Sequence, residues 1–183
     1  MSASSAPLPH APIRMVLGLL EHLGEVPGGR EDLYKLGGPL GYELDDLLPV
    51  TDAAKRLGLV QIARGDIELT EGGRTLAQAE EPERKRLLAR RLSESAGKTP
   101  AGDRIFIERA CEQILSRTPS DDELKMCEQF LAGQASRLSE PDKLTLFSAD
   151  KKAEVGPATD PLQRARENLI HVLMNHNDFV TIR

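Results

Sequence analysis

The chain has 183 residues, of which 39% are hydrophobic and only 3% aromatic, with no Trp. That supply serves one domain or two small ones with a core of Leu, Ile, Val and Ala. The net charge of −5 argues against nonspecific attraction to nucleic acid or anionic membranes, both of which select basic surfaces. The first 25 residues lack the basic start and long apolar run of a secretory signal. No run approaches the roughly 20 apolar residues of a membrane helix, so a cytoplasmic soluble protein is expected.

Met1 to Ala11 is rich in Ser, Ala and Pro and is expected to be disordered. Pro12 opens a helix to about Leu23, with Ile13, Val16, Leu17, Leu20 and Leu23 on one stripe. Val26-Pro27-Gly28-Gly29 is a turn. A short helix is expected over Arg30 to Leu36, carrying Leu33, Tyr34 and Leu36, before Gly37-Gly38-Pro39 breaks it. A third helix runs from about Glu43 to Leu57, with Leu44, Leu47, Leu48, Ala53, Ala54 and Leu57 as its apolar set. If Asp45 or Asp46 caps it, Pro49 lies in the first turn, where a missing N–H costs little.

The most legible stretch is Leu57 to Leu76. Leu57-Gly58 closes the third helix. Leu59, Val60 and Ile62 form one strand. Ile67 and Leu69 alternate with Asp66, Glu68 and Thr70 in a second. Arg64-Gly65-Asp66 makes the turn, and Thr70 caps a helix from Glu71 to about Ala79. A lone hairpin is marginal in water, so it must lean on the preceding helices, in the pattern of a winged helix.

Pro82 starts a helix ending near Leu92, on which Arg84, Lys85, Arg86, Arg90 and Arg91 form the strongest basic patch. Glu80, Glu81 and Glu83 precede it, as the helix dipole favours. A solvated helix is the preferred reading, and a docking face for an acidic partner or nucleic acid the sharper one. Ser93 to Gly102 is small and polar and reads as a linker.

The remainder reads as helical. Asp103 to Ser116 carries Ile107, Ala110, Cys111, Ile114 and Leu115 on one face. Ser120 and Glu123 form a capping box for a helix to about Leu138, with Leu124, Cys127, Leu131, Ala135 and Leu138 in its stripe. A long connection, Ser139 to Asp160, precedes a last helix from Pro161. There Leu162, Ala165, Leu169, Val172, Leu173 and His176 share a face, and Phe179 to Ile182 is an extended tail. The expected fold class is therefore mostly α with a small β-hairpin. It combines a winged-helix-like domain (12–92), a linker (93–102) and an all-α domain (103–183).

Cys111 and Cys127 are expected to be buried free thiols in a reducing compartment. His171 and His176 stand five apart, where a metal pair on one helix face prefers three or four. His176 and Asn177 read as helix C-capping groups. Neither Gly28-Gly29-Arg30 nor Gly72-Gly73-Arg74 is followed by the Lys-Ser/Thr of a phosphate loop. No catalytic, cofactor or metal residues are expected. A DNA-reading winged helix would lay its third helix in the major groove. Here that helix shows Glu43, Asp45, Asp46 and Asp52 against Lys55 and Arg56, the wrong sign for phosphate, and at the wing tip Arg64 is offset by Asp66.

Residues from about Pro12 to Leu92 resemble the AAA-associated C-terminal domain. That domain follows the ATPase subunit of nitrate/sulfonate/bicarbonate-type ABC importers. The matching text is LGLLEHLGEVPGGREDLYKL, ELDDLLPVTDAAKRLGLVQIARGDIELTEGGRTLAQA and ERKRLLARRL. The resemblance implies a regulatory or accessory module with no catalytic residues of its own. The chain has no Walker motif, so any nucleotide chemistry would come from a partner.

Residues 104 to 138, with ERACEQILSRTPSDDELKMCEQFL, and the ending ARENLIHVLMNHNDFVTIR resemble the C-terminal end of a family of large planctomycete proteins of unknown function. Those often accompany cytochrome c-type domains.

The leading expectation is a non-enzymatic regulatory or interaction module binding a protein partner, in particular a transporter ATPase subunit. Asp45, Asp46, Asp52, Lys55, Arg56 and Arg64 would make the contact. The alternatives are a winged-helix DNA-binding transcriptional regulator, using the third helix, Arg64 and the basic helix, and an enzyme fragment with its active site elsewhere.

Overall fold

The computed structural model describes residues 11–95, 102–140 and 156–176. The expected disorder of the N-terminus, most of the Ser139–Asp160 connection, Asn177 and the Phe179–Ile182 tail lie outside them. Within the described residues there are eight α-helices and a three-stranded antiparallel sheet. The chain divides into two compact units, Met1–Arg84 and Lys85–Arg183.

In the first unit, α1 (Ile13–Glu25) starts directly after Pro12 and buries Ile13, Val16, Leu19, Leu20 and Leu23. Leu17, expected in the stripe, is only half-buried. The expected helix over Arg30 to Leu36 is not there. Arg30–Asp32 is instead a strand, β1, followed by a 3-10 turn at Leu33–Lys35. Leu36 is buried, but Tyr34 is 80% exposed. The reason is nonlocal: β1 pairs with a strand far along the chain, with Arg30 opposite Glu68. Three charged residues in a row give no local sign of it.

After the one-turn α2 (Gly37–Leu40), α3 spans Leu44–Arg56 with Glu43 as N-cap. Pro49 is therefore in the second turn, not the first, and has no N–H for the Asp45 carbonyl. The helix ends as its sequence implies. Gly58 takes φ 70°, and the N–H groups of Leu57, Gly58 and Leu59 return to the carbonyls of Ala53, Lys55 and Ala54.

The hairpin is β2 (Val60–Ala63) and β3 (Asp66–Leu69), with Val60 opposite Leu69 and Ile62 opposite Ile67. Strand order is β1-β3-β2, so the predicted hairpin is two-thirds of a sheet. Ile67 and Leu69 are buried, while the alternate residues Gln61, Ala63, Asp66 and Glu68 face outward. Helix, strand, two helices and a hairpin follow in the order of a winged helix. Thr70 caps α4 (Glu71–Gln78) as expected: its Oγ1 accepts from Gly73 N at 3.0 Å and donates to the Gly58 carbonyl at 2.7 Å. Gly73 sits so close to β2 that a Cβ would lie 1.9 Å from the Leu59 carbonyl oxygen.

The helix α5 (Glu81–Ser95) runs three residues past its expected end. From Lys85 onward it belongs to the second unit, which also holds α6 (Asp103–Leu115), α7 (Asp121–Leu138) and α8 (Pro161–Met174). The capping box on α7 is present, with Ser120 N donating to Glu123 Oε2 at 2.8 Å and Glu123 N to Ser120 Oγ at 3.3 Å. Ile170 and Met174 are buried on α8, whereas Val172 is 51% exposed. Asn175, one residue before the expected His176, takes the C-cap of α8 and donates its side-chain N–H to the His171 carbonyl at 2.8 Å.

Candidate partner-binding surface

The core side of α3 is Leu47, Val50, Ala53, Ala54 and the following Leu57, with Thr51 also buried and donating to the Leu48 carbonyl at 3.0 Å. At 3.6 residues per turn the opposite stripe is Asp45, Leu48, Asp52, Lys55 and Arg56. Leu48 was expected in the core. It is 48% exposed, because the spacing that buries Leu47 and Ala54 turns Leu48 away from them.

Asp45 and Asp46 lie in the first turn of α3, exposed and without an ion pair among the described residues. The helix dipole favours acids there, and Lys55 and Arg56 in the last turn complement its other end. Asp52 and Arg56 form a pair one turn apart at 2.9 Å. Lys55 is exposed and unpaired among the described residues. The five α3 residues singled out in the sequence thus lie on one helix, four along one stripe; Asp46 is on the side of Val50 and Ala53 and is exposed only because it stands in the first turn. Arg64 is not on it; it stands at the tip of the β2–β3 turn.

The outer face of the sheet forms a shallow cavity of about 310 Å³, lined by Arg30, Gln61, Ala63, Arg64, Asp66 and Glu68. Its charges are largely paired within the fold. Arg30 Nε donates to Asp66 Oδ2 at 3.0 Å, and that bond and charge raise the Arg30 pKa above its ordinary value. Gln61 reaches Glu68 at 3.1 Å, and Arg74 reaches Glu68 at 3.4 Å and the Gly28 carbonyl at 2.9 Å.

The basic residues of α5 are placed quite differently. Arg84, in the first unit, pairs with Glu21 and donates to the carbonyls of Ala77 and Ala79 at the end of α4, at 3.4 and 3.2 Å. Within the second unit, Lys85 donates to Asn175 Oδ1 at 3.0 Å. Arg90 donates to Glu94 at 3.0 Å and to the Gly156 carbonyl at 2.8 Å, and lies 3.6 Å from Glu167. Arg86 is half-buried and Arg91 exposed. Three of the five are therefore committed to holding their own unit together.

Residues 34–117 match the family described as the C-terminal AAA-associated domain. The match begins at Tyr34, takes in α3, the hairpin and all of α5 and α6, and ends at Arg117. No match was found among curated proteins, and none among solved structures.

Sequence reasoning missed Leu48, Tyr34 and the polar interior of the second unit. There Arg166, 1% exposed, donates to Asp103 Oδ1 at 2.7 Å through Nη2 and lies 5.0 Å over the Phe106 ring. Buried Glu167 accepts from Ala158 N at 3.0 Å. Burial pushes the Cys111 thiol up to about 12, with Cys127 and Glu123 adding to it, and the half-buried Cys127 thiol is raised for the same first reason. Both cysteines are free thiols. The His171 pKa is lowered by burial and then by Arg86 and Lys85. Among the described residues no three His, Cys, Asp or Glu side chains gather as a metal site, and no helix is long and apolar enough to cross a membrane.

Proposed function

We propose that this chain is a non-enzymatic interaction module whose first unit docks on an ATPase subunit of a transporter. The contact is made by the outward stripe of α3, with Arg64 of the wing as an outlying contact. One observation carries the reading: Leu48 is exposed between Asp45 and Asp52 on a helix whose Asp45, Asp46 and Lys55 have no ion pair among the described residues. An exposed apolar residue with charged neighbours, of which Asp45 and Lys55 are unpaired among the described residues, is the composition of an interface core with its rim. The match to an AAA-associated domain supports an ATPase as the class of partner.

Affinity capture with the full chain, wild type against D45K/D46K, followed by mass spectrometry of the eluate, tests this. The expected result is an ATPase subunit bearing nucleotide-binding motifs, captured about tenfold less by the variant, a loss of about 1.4 kcal/mol. Equal capture by both removes the α3 face. Reading of duplex DNA is the weaker alternative, because the unpaired acids lead the helix that would enter the groove. A mobility shift on random duplex at low salt would restore it.

A further inference from the structure

The turn joining β2 and β3 breaks a local rule. Arg64 takes φ 56° and Gly65 φ 86°, the geometry of a primed two-residue hairpin turn, which favours Asn, Asp or Gly at its first position. An Arg held there is strained, and its side chain gains nothing in return. It is exposed and has no bond or ion pair among the described residues. Unrewarded strain of this kind concentrates at functional positions.

The same edge carries Tyr34. Leu33 N donates to the Gly65 carbonyl at 2.9 Å, so the 3-10 turn after β1 is tied to the wing turn. Tyr34 stands 80% exposed beside it, followed by the exposed Lys35. The acids nearby are occupied. Asp32 accepts from Tyr34 N at 2.9 Å, Asp66 is held by Arg30, and Glu68 is reached by Gln61 and Arg74. Among the described residues the cations Lys35 and Arg64 have no such partner. The edge thus offers a ring and two uncommitted cations, of which Arg64 lines the outer-face cavity.

We infer that this wing edge is a second docking surface, for an extended acidic peptide segment of a protein partner. Tyr34 provides the contact ring, and Arg64 and Lys35 receive carboxylates. Tyr and Arg are the residues most enriched among interface hot spots. A peptide fits better than a nucleic acid strand. Asp66 and Glu68 line the adjoining cavity and would repel a phosphate at every nucleotide, whereas a peptide can place its carboxylates only where Arg64 and Lys35 stand. The surface shares Arg64 with the proposed ATPase contact but uses no residue of the α3 stripe, so loss of the stripe leaves it intact.

The probes are a fluorescein-labelled peptide of alternating Glu and Val, the same peptide with Gln for Glu, and an oligothymidylate of equal length, titrated against the full chain by anisotropy at low salt. The Glu peptide is expected to bind at least tenfold more tightly than the Gln peptide and more tightly than the oligothymidylate. Asn suits the primed turn, so R64N keeps the hairpin; it should weaken the Glu peptide about fivefold, and Y34A and K35Q should each weaken it too. Absence of Glu-peptide binding, equal binding by wild type and both R64N and K35Q, indifference between Glu and Gln, or tighter binding of the oligothymidylate each overturns the assignment.

Discussion

The two units treat polar side chains in opposite ways. In the first, the only buried polar side chain among the described residues is Thr51, and the charges of α3 and the wing stay on the surface. In the second, Ser93, Gln113, Arg166 and Glu167 are all buried. There Arg166 joins α8 to Asp103 at the start of α6, and Arg90 joins α5 to the Gly156 carbonyl. A charge consumed inside a fold fixes geometry; a charge left unpaired outside it is available to a partner. The binding proposals therefore rest on the first unit, although the second carries the denser run of basic residues.

The comparison breaks most readily at Arg166. R166A should cost about 3 kcal/mol in chemical denaturation, because it strands Asp103 and removes the cation from the Phe106 ring. R166M, similar in volume and apolar, should remain within about 1 kcal/mol of wild type. If both variants are equally damaging, the pair contributes specificity of geometry that packing alone cannot replace.

In the first unit the sensitive point is backbone rather than charge. G73A should cost about 2 kcal/mol, since the new Cβ meets the Leu59 carbonyl oxygen and α4 must shift away from β2. G133A on α7, where a new Cβ meets nothing within 4 Å, is the control, and its melting temperature should not fall below that of wild type.

Acid should weaken the second unit selectively. The bidentate Arg117 contacts, at 2.7 and 2.9 Å, and then the Ser120 N–H hold the Glu123 carboxyl down at about 2. The unfolded chain takes up that proton near pH 4.5, so it binds more protons than the native state between these values. Stability from this site is full above about pH 4.5 and declines as pH falls toward 2. Glu123 is partly exposed, so the effect is screened. E123Q should flatten the melting-temperature profile over that window, and a profile unchanged by E123Q would show that the box carries no linkage.

A smaller effect, of opposite sign, belongs to the wing. R64N should stabilise the protein by about 1 kcal/mol, because Asn enters the left-handed region more easily than Arg. A loss instead would mean that Arg64 is held by contacts that offset its backbone strain. D45N/D46N should be smallest, about 0.5 kcal/mol for each removed charge–dipole interaction, while its effect on partner capture remains large. That separation of stability from binding is what distinguishes a surface stripe from a structural one.

Much of the candidate surface is legible in the sequence for a simple reason. Asp45, Asp46, Lys55 and Arg64 are charged residues with no apolar reason to be inside, and α3 is bounded by a local stop at Gly58. Leu48 and Tyr34 were not legible. Each is apolar in an apolar neighbourhood, and only the position of the core shows that it points away from it. The basic run of α5 misleads in the opposite sense, since Arg84, Lys85 and Arg90 are spent on carbonyls and side chains distant in sequence.

The sequence by itself determined what neighbours along the chain can enforce. These are the hairpin, the Gly58 stop, the Thr70 cap, the Ser120–Glu123 box and the predominance of helix. Each depends on atoms within a few residues of one another, where spacing alone dictates geometry. The tertiary structure decided what depends on distant partners. It turned Arg30–Asp32 into a strand by laying it against β3. It brought Gly73 onto β2 and buried Arg166 against Asp103. It also selected which apolar residues of α3 and the Leu33–Lys35 turn face water. Those outcomes are set by pairing and packing between residues tens of positions apart, which no local period encodes.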